Sequence, residues 1–192
     1  MKKTLILTSV ALVAIMLVPI ANVAADNIQT DVVSVTVPDN CAISYSDTGH
    51  IDGESTGTWD GDELKAVIAV GTANDDIGAS VFNVICNYQT GWRVVAEPES
   101  LLAQDLATNN AITNAIENED GSFWNYTPSK IDSSDTDFVV GESNASVVAN
   151  MDSAVGDGGK NFKITYSATI GATQAADTYK GSIEYTLVKG AE

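Results

Sequence analysis

Positive charge is scarce in this chain: nine Lys and Arg stand against 26 Asp and Glu, a net charge of −17 over 192 residues. Such a balance excludes nucleic acid and anionic lipid as partners, because nothing neutralises a phosphate surface. Histidine is nearly absent as well. His50 is the one imidazole, and no Gly-x-Ser-x-Gly turn accompanies it. A Ser-His-Asp or Cys-His mechanism would have to rest on that single residue, so the sequence assigns no catalytic residue. Glycoside hydrolysis needs only two carboxylates. With 26 acids, chance alone supplies close pairs, and a carboxylate-dependent secreted hydrolase stays a rival without a motif.

Long apolar runs are missing after the first 25 residues. Met1-Lys2-Lys3 is basic, Leu5 to Val18 is apolar, and Val23-Ala24-Ala25 has the small residues that signal peptidase accepts. Residues 1–25 are expected to be a secretory signal peptide, since the run falls short of the roughly 20 residues of a spanning helix. No cysteine stands directly after the cleavage point, no second apolar run lies near the C-terminus, and no Leu-Pro-x-Thr-Gly motif occurs. The mature chain is therefore expected to lack a membrane span, a lipid anchor and a covalent wall link. Removing 25 of 192 residues leaves 167 (residues 26–192), enough for one domain with a core. Loss of Lys2 and Lys3 takes −17 to −19. The acids are scattered, which fits a soluble secreted surface.

Cysteine is limited to Cys41 and Cys86, both at inward positions of expected strands. Export makes a disulfide between them the default. Two cysteines and one distant histidine make a poor zinc site. Neither a metal nor a cofactor is expected. The loops Asp132–Asp137 and Asp152–Asp157 are rich in oxygen ligands, yet neither has EF-hand spacing, and solvated turns explain both.

What the chain has in quantity is period-2 alternation. Val33, Val35 and Val37 form one face of an expected first strand, and Cys41, Ile43 and Tyr45 a second that ends at Asp47-Thr-Gly49. His50 to Asp62 reads as loop, and Leu64, Ala66, Ile68 and Val70 as the inward face of another strand. Phe82, Val84, Cys86 and Tyr88 are followed by Asn87-Tyr-Gln-Thr-Gly91 and then Trp92, Val94 and Ala96, an expected hairpin over 81–88 and 92–97. Leu102 and Leu106, and Ile112 and Ile116, are spaced four apart, so residues 99–118 hold either a short helical insertion or a loop with a helical turn. Short strands are expected at 123–126, 138–140 and 146–151. Phe162, Ile164, Tyr166, Ala168 and Ile170, then Tyr179, Gly181, Ile183, Tyr185 and Leu187, give a closing hairpin. Eight or nine short strands with turn signals between them predict an all-β chain, a single antiparallel β-sandwich of Ig-like or pilin-like kind. Trp92 falls on a core face. Trp59 and Trp124 are the candidate exposed aromatics, platforms for a sugar or a protein.

Two stretches carry more than periodicity. Tyr179-x-x-x-Ile183-x-Tyr185-x-Leu187 resembles the second signature of WxL-domain proteins, Tyr-x-x-x-Leu-x-Trp-x-Leu. Gly91-Trp92-Arg93-Val94 is similar to their Trp-x-Leu signature. Val94 and Ile183 stand where the family has Leu, Tyr185 where it has Trp, and the proline after the second signature is missing. The resemblance implies a secreted, cell-surface protein of Gram-positive bacteria held non-covalently on peptidoglycan. Cys41 after Val35-Thr-Val-Pro38, and the Ala175-Ala-Asp177-Thr-Tyr179 lead-in, resemble secreted pilin-like and spore-coat-U-like sandwiches. The expected function is therefore a non-enzymatic bacterial surface role, structural, wall-associated or adhesive, with peptidoglycan or another surface glycan or protein as partner. A pilus-type subunit that self-assembles by strand exchange, donating Asp26–Val37, is the alternative.

Overall fold

The computed structural model describes residues 34–54, 56–104, 111–114, 121–131, 138–142 and 145–190. Residues 1–25, where a signal peptide is expected, and the acidic loop Asp132–Asp137 lie outside the described residues. The chain divides into two units, Met1–Val37 and Pro38–Glu192. Of the first, residues 34–37 are described. They form no strand, and Val35 and Val37 are exposed. Over residues 34–37 the expected strand is thus not formed, while Val33 lies outside the described residues: alternation without a sheet partner cannot satisfy a strand's backbone groups.

The second unit is all-β. Thirteen strands occur among its described residues, more than the eight or nine expected: β1 (Cys41–Asp52), β2 (Gly57–Asp60), β3 (Glu63–Ala66), β4 (Thr72–Cys86), β5 (Trp92–Pro98), β6 (Leu101–Ala103), β7 (Ala111–Asn114), β8 (Phe123–Lys130), β9 (Val139–Val140), β10 (Val147–Met151), β11 (Val155–Ile170), β12 (Tyr179–Lys180) and β13 (Ile183–Lys189). They form a seven-stranded sheet in the order β1-β4-β11-β8-β7-β6-β12, a four-stranded sheet β13-β5-β10-β9, and the β2–β3 hairpin. All pairs are antiparallel except β7–β8, which is parallel. One core cluster takes Phe82, Val84, Tyr126, Phe162 and Ile164 from the large sheet and Trp92, Val94 and Val148 from the smaller one.

Both expected hairpins are corrected. The strands of 81–88 and 92–97 do not pair: β4 belongs to the large sheet and β5 to the small one. Gly91 makes the crossing, with φ +80° and the Met151 carbonyl 1.9 Å from where a Cβ would stand. The closing pair likewise separates, β11 into the large sheet and β13 onto β5. A half-buried strand shows the same alternation whichever neighbour it pairs with, so periodicity could not choose.

Residues 99–118 hold no helix where they are described. Leu102 and Ile112 lie on β6 and β7, which pair with each other; Leu106 and Ile116 lie outside the described residues. β1 runs through a register shift between Tyr45 and His50 and reaches Asp52, so His50 is strand, not loop. The loop expected over His50–Asp62 also contains β2, and the strand expected through Val70 stops at Ala66. In β8 the strand continues past Pro128 to Lys130. Within β4, residues 78–82 are buried on both faces and alternation disappears. Gly78 lies opposite Tyr166 and shares the face of Phe82 and Phe162, and there the β2–β3 hairpin covers the strand: Leu64 and the Trp59 indole pack where a side chain at Gly78 would be, at 2.6 and 3.1 Å from its Cβ position.

Candidate functional site

β1 and β13 are edge strands of their sheets, and each has a side with no sheet partner among the described residues. They approach one another without pairing. Between them lies a groove of about 350 Å³, lined by Ile43, Ser44 and Tyr45 of β1, Phe82 of β4, and Ile183, Glu184 and Tyr185 of β13. The apolar lining follows from strand phase: Ile43 and Tyr45 on one side, Ile183 and Tyr185 on the other, are second neighbours that share a face. Tyr45 is 46% exposed and stacks on Phe82 at 5.1 Å between ring centroids. Phe82 in turn meets Tyr185 at 4.6 Å.

A directed chain of polar groups runs from the surface to the floor of this groove. Tyr166 donates to Ser80 Oγ at 3.2 Å, so the Tyr185 hydroxyl, 3.1 Å from that of Tyr166, donates to it. Ser80 Oγ lies 3.4 Å from His50 Nδ1, and His50 Nε2 lies 3.4 Å from Asp62 Oδ1. Continuing the same direction, Ser80 donates to Nδ1 and the proton on His50 sits on Nε2, facing Asp62. Burial pushes the Tyr185 phenol far above its ordinary range, and the neighbouring Tyr166 oxygen adds to the shift. Tyr166 is raised too, by burial first. For Tyr45 burial leads and the Asp62 charge adds to the rise. Both core phenols stay protonated at any ordinary pH.

The order Asp62–His50–Ser80 has the composition of a catalytic triad but the opposite exposure. Asp62 is open to solvent, while Ser80 is 1% exposed beneath Tyr166. A nucleophile must meet its substrate, and this hydroxyl cannot. The arrangement is a structural polar network. Its surface end is aromatic: His50 stacks on Trp59 at 3.9 Å and 15° between planes, and Trp59 Nε1 donates to the Ile51 carbonyl. The solvated loop histidine read from the sequence is therefore a packed one. No sequence signal could have found its partners, because Ser80 and Tyr166 come from distant strands.

The other expected site residues are placed as follows. Cys41 and Cys86 form a disulfide between directly opposite residues of β1 and β4. Trp92 and Val94 are fully buried. Tyr179, Ile183, Tyr185 and Leu187 are half-buried against the same core. The two WxL-like stretches become neighbours: Val94 pairs with Leu187 and Trp92 with Lys189. Neither candidate platform is an open one. Trp124 is 6% exposed and donates to the Glu99 carbonyl, and Trp59 has one face covered by His50. Tyr45 and Tyr88 are exposed rings that sequence reasoning passed over. Among the described residues no three His, Cys, Asp or Glu side chains gather as a metal site would need. Asp152 and Ser153 are exposed, and the expected loop beyond them is already β11 by Val155.

No protein-family model, curated protein or solved structure matches the chain.

Proposed function

We propose that this is an exported bacterial surface protein without enzymatic activity, related to WxL-domain proteins in architecture and acting by contact, as a wall-associated or adhesive component. On this reading residues 1–25 are removed on export and the two larger sheets face each other as a β-sandwich. The pairing of β5 with β13 carries the proposal, because it sets Ile183–Leu187 of the second family-like signature beside Trp92 and Val94 of the first, while Tyr179 lies on β12. The shared core, with Trp92 5.6 Å from Phe138 and Phe138 6.4 Å from Phe162, supports the sandwich.

Wall contact then belongs to residues other than Trp92 and Val94, whose burial assigns them to packing. The strong negative charge repels anionic wall polymers, so retention depends on short-range contacts with peptidoglycan or another surface glycan or protein. Among the described residues Tyr45, with the groove beside it, is the most exposed aromatic ring, and Tyr88 is exposed as well. The test is a pull-down of folded protein with purified peptidoglycan at low and high salt. Retention at both supports a specific wall contact; protein left in solution at both removes it.

A further inference from the structure

We propose that His50 is a pH-sensitive switch: a proton taken up at its Nδ1 reverses the hydroxyl chain Ser80–Tyr166–Tyr185 and loosens the contact of β13 with the large sheet. This goes beyond the surface role above and holds whatever the protein touches.

Neutral His50 fits its place because every donor has an acceptor. Tyr185 donates to Tyr166, Tyr166 to Ser80, and Ser80 to His50 Nδ1, at 3.1, 3.2 and 3.4 Å. The Nε2–H faces Asp62 at 3.4 Å. Ser80 is 1% exposed and Tyr166 7%, so both are shut off from bulk water. A second proton on the ring has one place to go, Nδ1, and there it meets the hydroxyl proton of Ser80. Two donors then face each other in a buried site, and whichever is left unmatched bears its full desolvation.

The ring itself is held. Trp59 stacks on it at 3.9 Å and Tyr45 meets it edge-on at 4.4 Å. The Asp62 charge and the indole face both favour an imidazolium where it stands. Among the described residues Asp62 is the one charged group paired with the ring. Of the other acids on the adjoining elements, Asp52 accepts from the Trp59 amide and Asp76 from the Gly78 amide, while Asp60 and Glu63 are paired with Lys65 and Lys180. On β11, Lys163 is out of phase with Tyr166 and lies on the opposite face.

What can turn are the hydroxyl protons. Ser80 then donates to Tyr166 and Tyr166 to Tyr185, so every link survives with its direction reversed. The mismatch moves to the far end. The Tyr185 proton now needs an acceptor, and Tyr166 is the one hydrogen-bond partner of that hydroxyl among the described residues. Tyr185 shares its groove with Ile43, Phe82 and Ile183, whose side chains accept nothing. Relief comes from parting β13 from the large sheet, so that water reaches the phenol. Proton uptake on β1 is thus read out on β13, in the other sheet.

His50 is the single histidine, so nitrogen NMR of the ring reads its tautomer and its titration directly. The Nε2–H tautomer is expected at the alkaline end. From about pH 8 down to about pH 5, the range in which histidine changes charge, amide exchange of β13 around Tyr185 should rise about tenfold over the intrinsic rate, the effect of one unmatched buried hydroxyl. Ser80→Ala breaks the chain in its middle and adds no bulk. In that variant His50 should still titrate, while exchange in β13 no longer follows it. An Nδ1–H tautomer at the alkaline end, a ring that does not titrate within that range, or β13 exchange that ignores the titration overturns the proposal. An acid response of β13 that survives Ser80→Ala refutes it equally, since it would run through charge or the hairpin and not through the hydroxyls. Should Ser80→Ala fail to fold, Tyr166→Phe cuts the chain one link further along and is expected to give the same flat profile.

Discussion

Val94 and Leu187 lie opposite one another across the β5–β13 ladder, 93 positions apart in sequence (187 less 94), and they join Trp92–Val94 and Ile183–Leu187 into one ribbon. Val94 is fully buried and Leu187 packs on the same core. Residues of this kind hold the sheet together, and their loss is felt through stability before any contact with a partner.

Trp92 makes that testable. It is fully buried beside Phe138, so Trp92→Ala should cost about 3–5 kcal/mol through the cavity it leaves. Trp92→Phe should cost less. Denaturant unfolding would measure both. If either variant, still folded, loses peptidoglycan retention seen in the wild type, packing is not the whole role of this residue.

Tyr185 donates its hydroxyl to Tyr166 and so joins the small sheet to the large one. Tyr185→Phe keeps the ring against Phe82 and removes that donor. The expected loss is about 0.5–1.5 kcal/mol, with Tyr166 still bound to Ser80. A much larger loss in urea unfolding would mean that the hydroxyl chain acts as one cooperative unit.

The Cys41–Cys86 bridge closes a loop with a sequence separation of 45. The chain-entropy relation puts its contribution at about 4 kcal/mol. The double variant Cys41→Ala, Cys86→Ala should lose stability of that order, and the unreduced wild type should show no thiol on alkylation. Two alkylated cysteines in the unreduced protein would contradict the bridge.

Acid should act on the exposed pairs first. A hydrogen bond from Lys180 holds the Glu63 carboxyl below its usual 4.5, and one from Lys65 holds Asp60 below 3.8. A depressed folded pKa stabilises the fold above the unfolded value, and this contribution is lost as pH falls through the folded one. Glu63–Lys180 links β3 to β12, so the hairpin over Gly78 should loosen below about pH 4. Trp59 emission should then shift to the red, and Lys180→Ala should flatten that acid transition. An acid profile unchanged by the variant would remove the pair from the explanation. Salt screening keeps the effect modest.

The same hairpin depends on a missing side chain. Gly78→Ala would place a methyl group against Leu64 Cδ1 and Trp59 Nε1, in a backbone with φ +147°. It should lift the hairpin and free His50 from Trp59, costing about 1–3 kcal/mol. Thermal unfolding and Trp59 emission would read both effects. Wild-type behaviour would show that the hairpin does not need this close approach.

By itself the sequence determined the class of the fold and the phase of most strands. Alternation is a local record of which face of a strand is buried, and Phe82, Val84, Trp92, Val94, Phe162 and Ile164 were all legible as core for that reason. The cysteine pair was legible too, from two inward positions and no competing thiol. Only the tertiary structure decided partners. Whether β4 pairs with β5, or β11 with β13, depends on contacts between segments far apart in the chain, and no local period encodes them. It also decided His50, whose neighbours Trp59, Asp62, Ser80 and Tyr45 converge because β1 shifts register and a hairpin folds over Gly78. Where both faces of a strand are buried, as at residues 78–82, alternation vanishes and the sequence falls silent. The unpaired edges of β1 and β13 were beyond it for the same reason: an edge is defined by the neighbour that is missing.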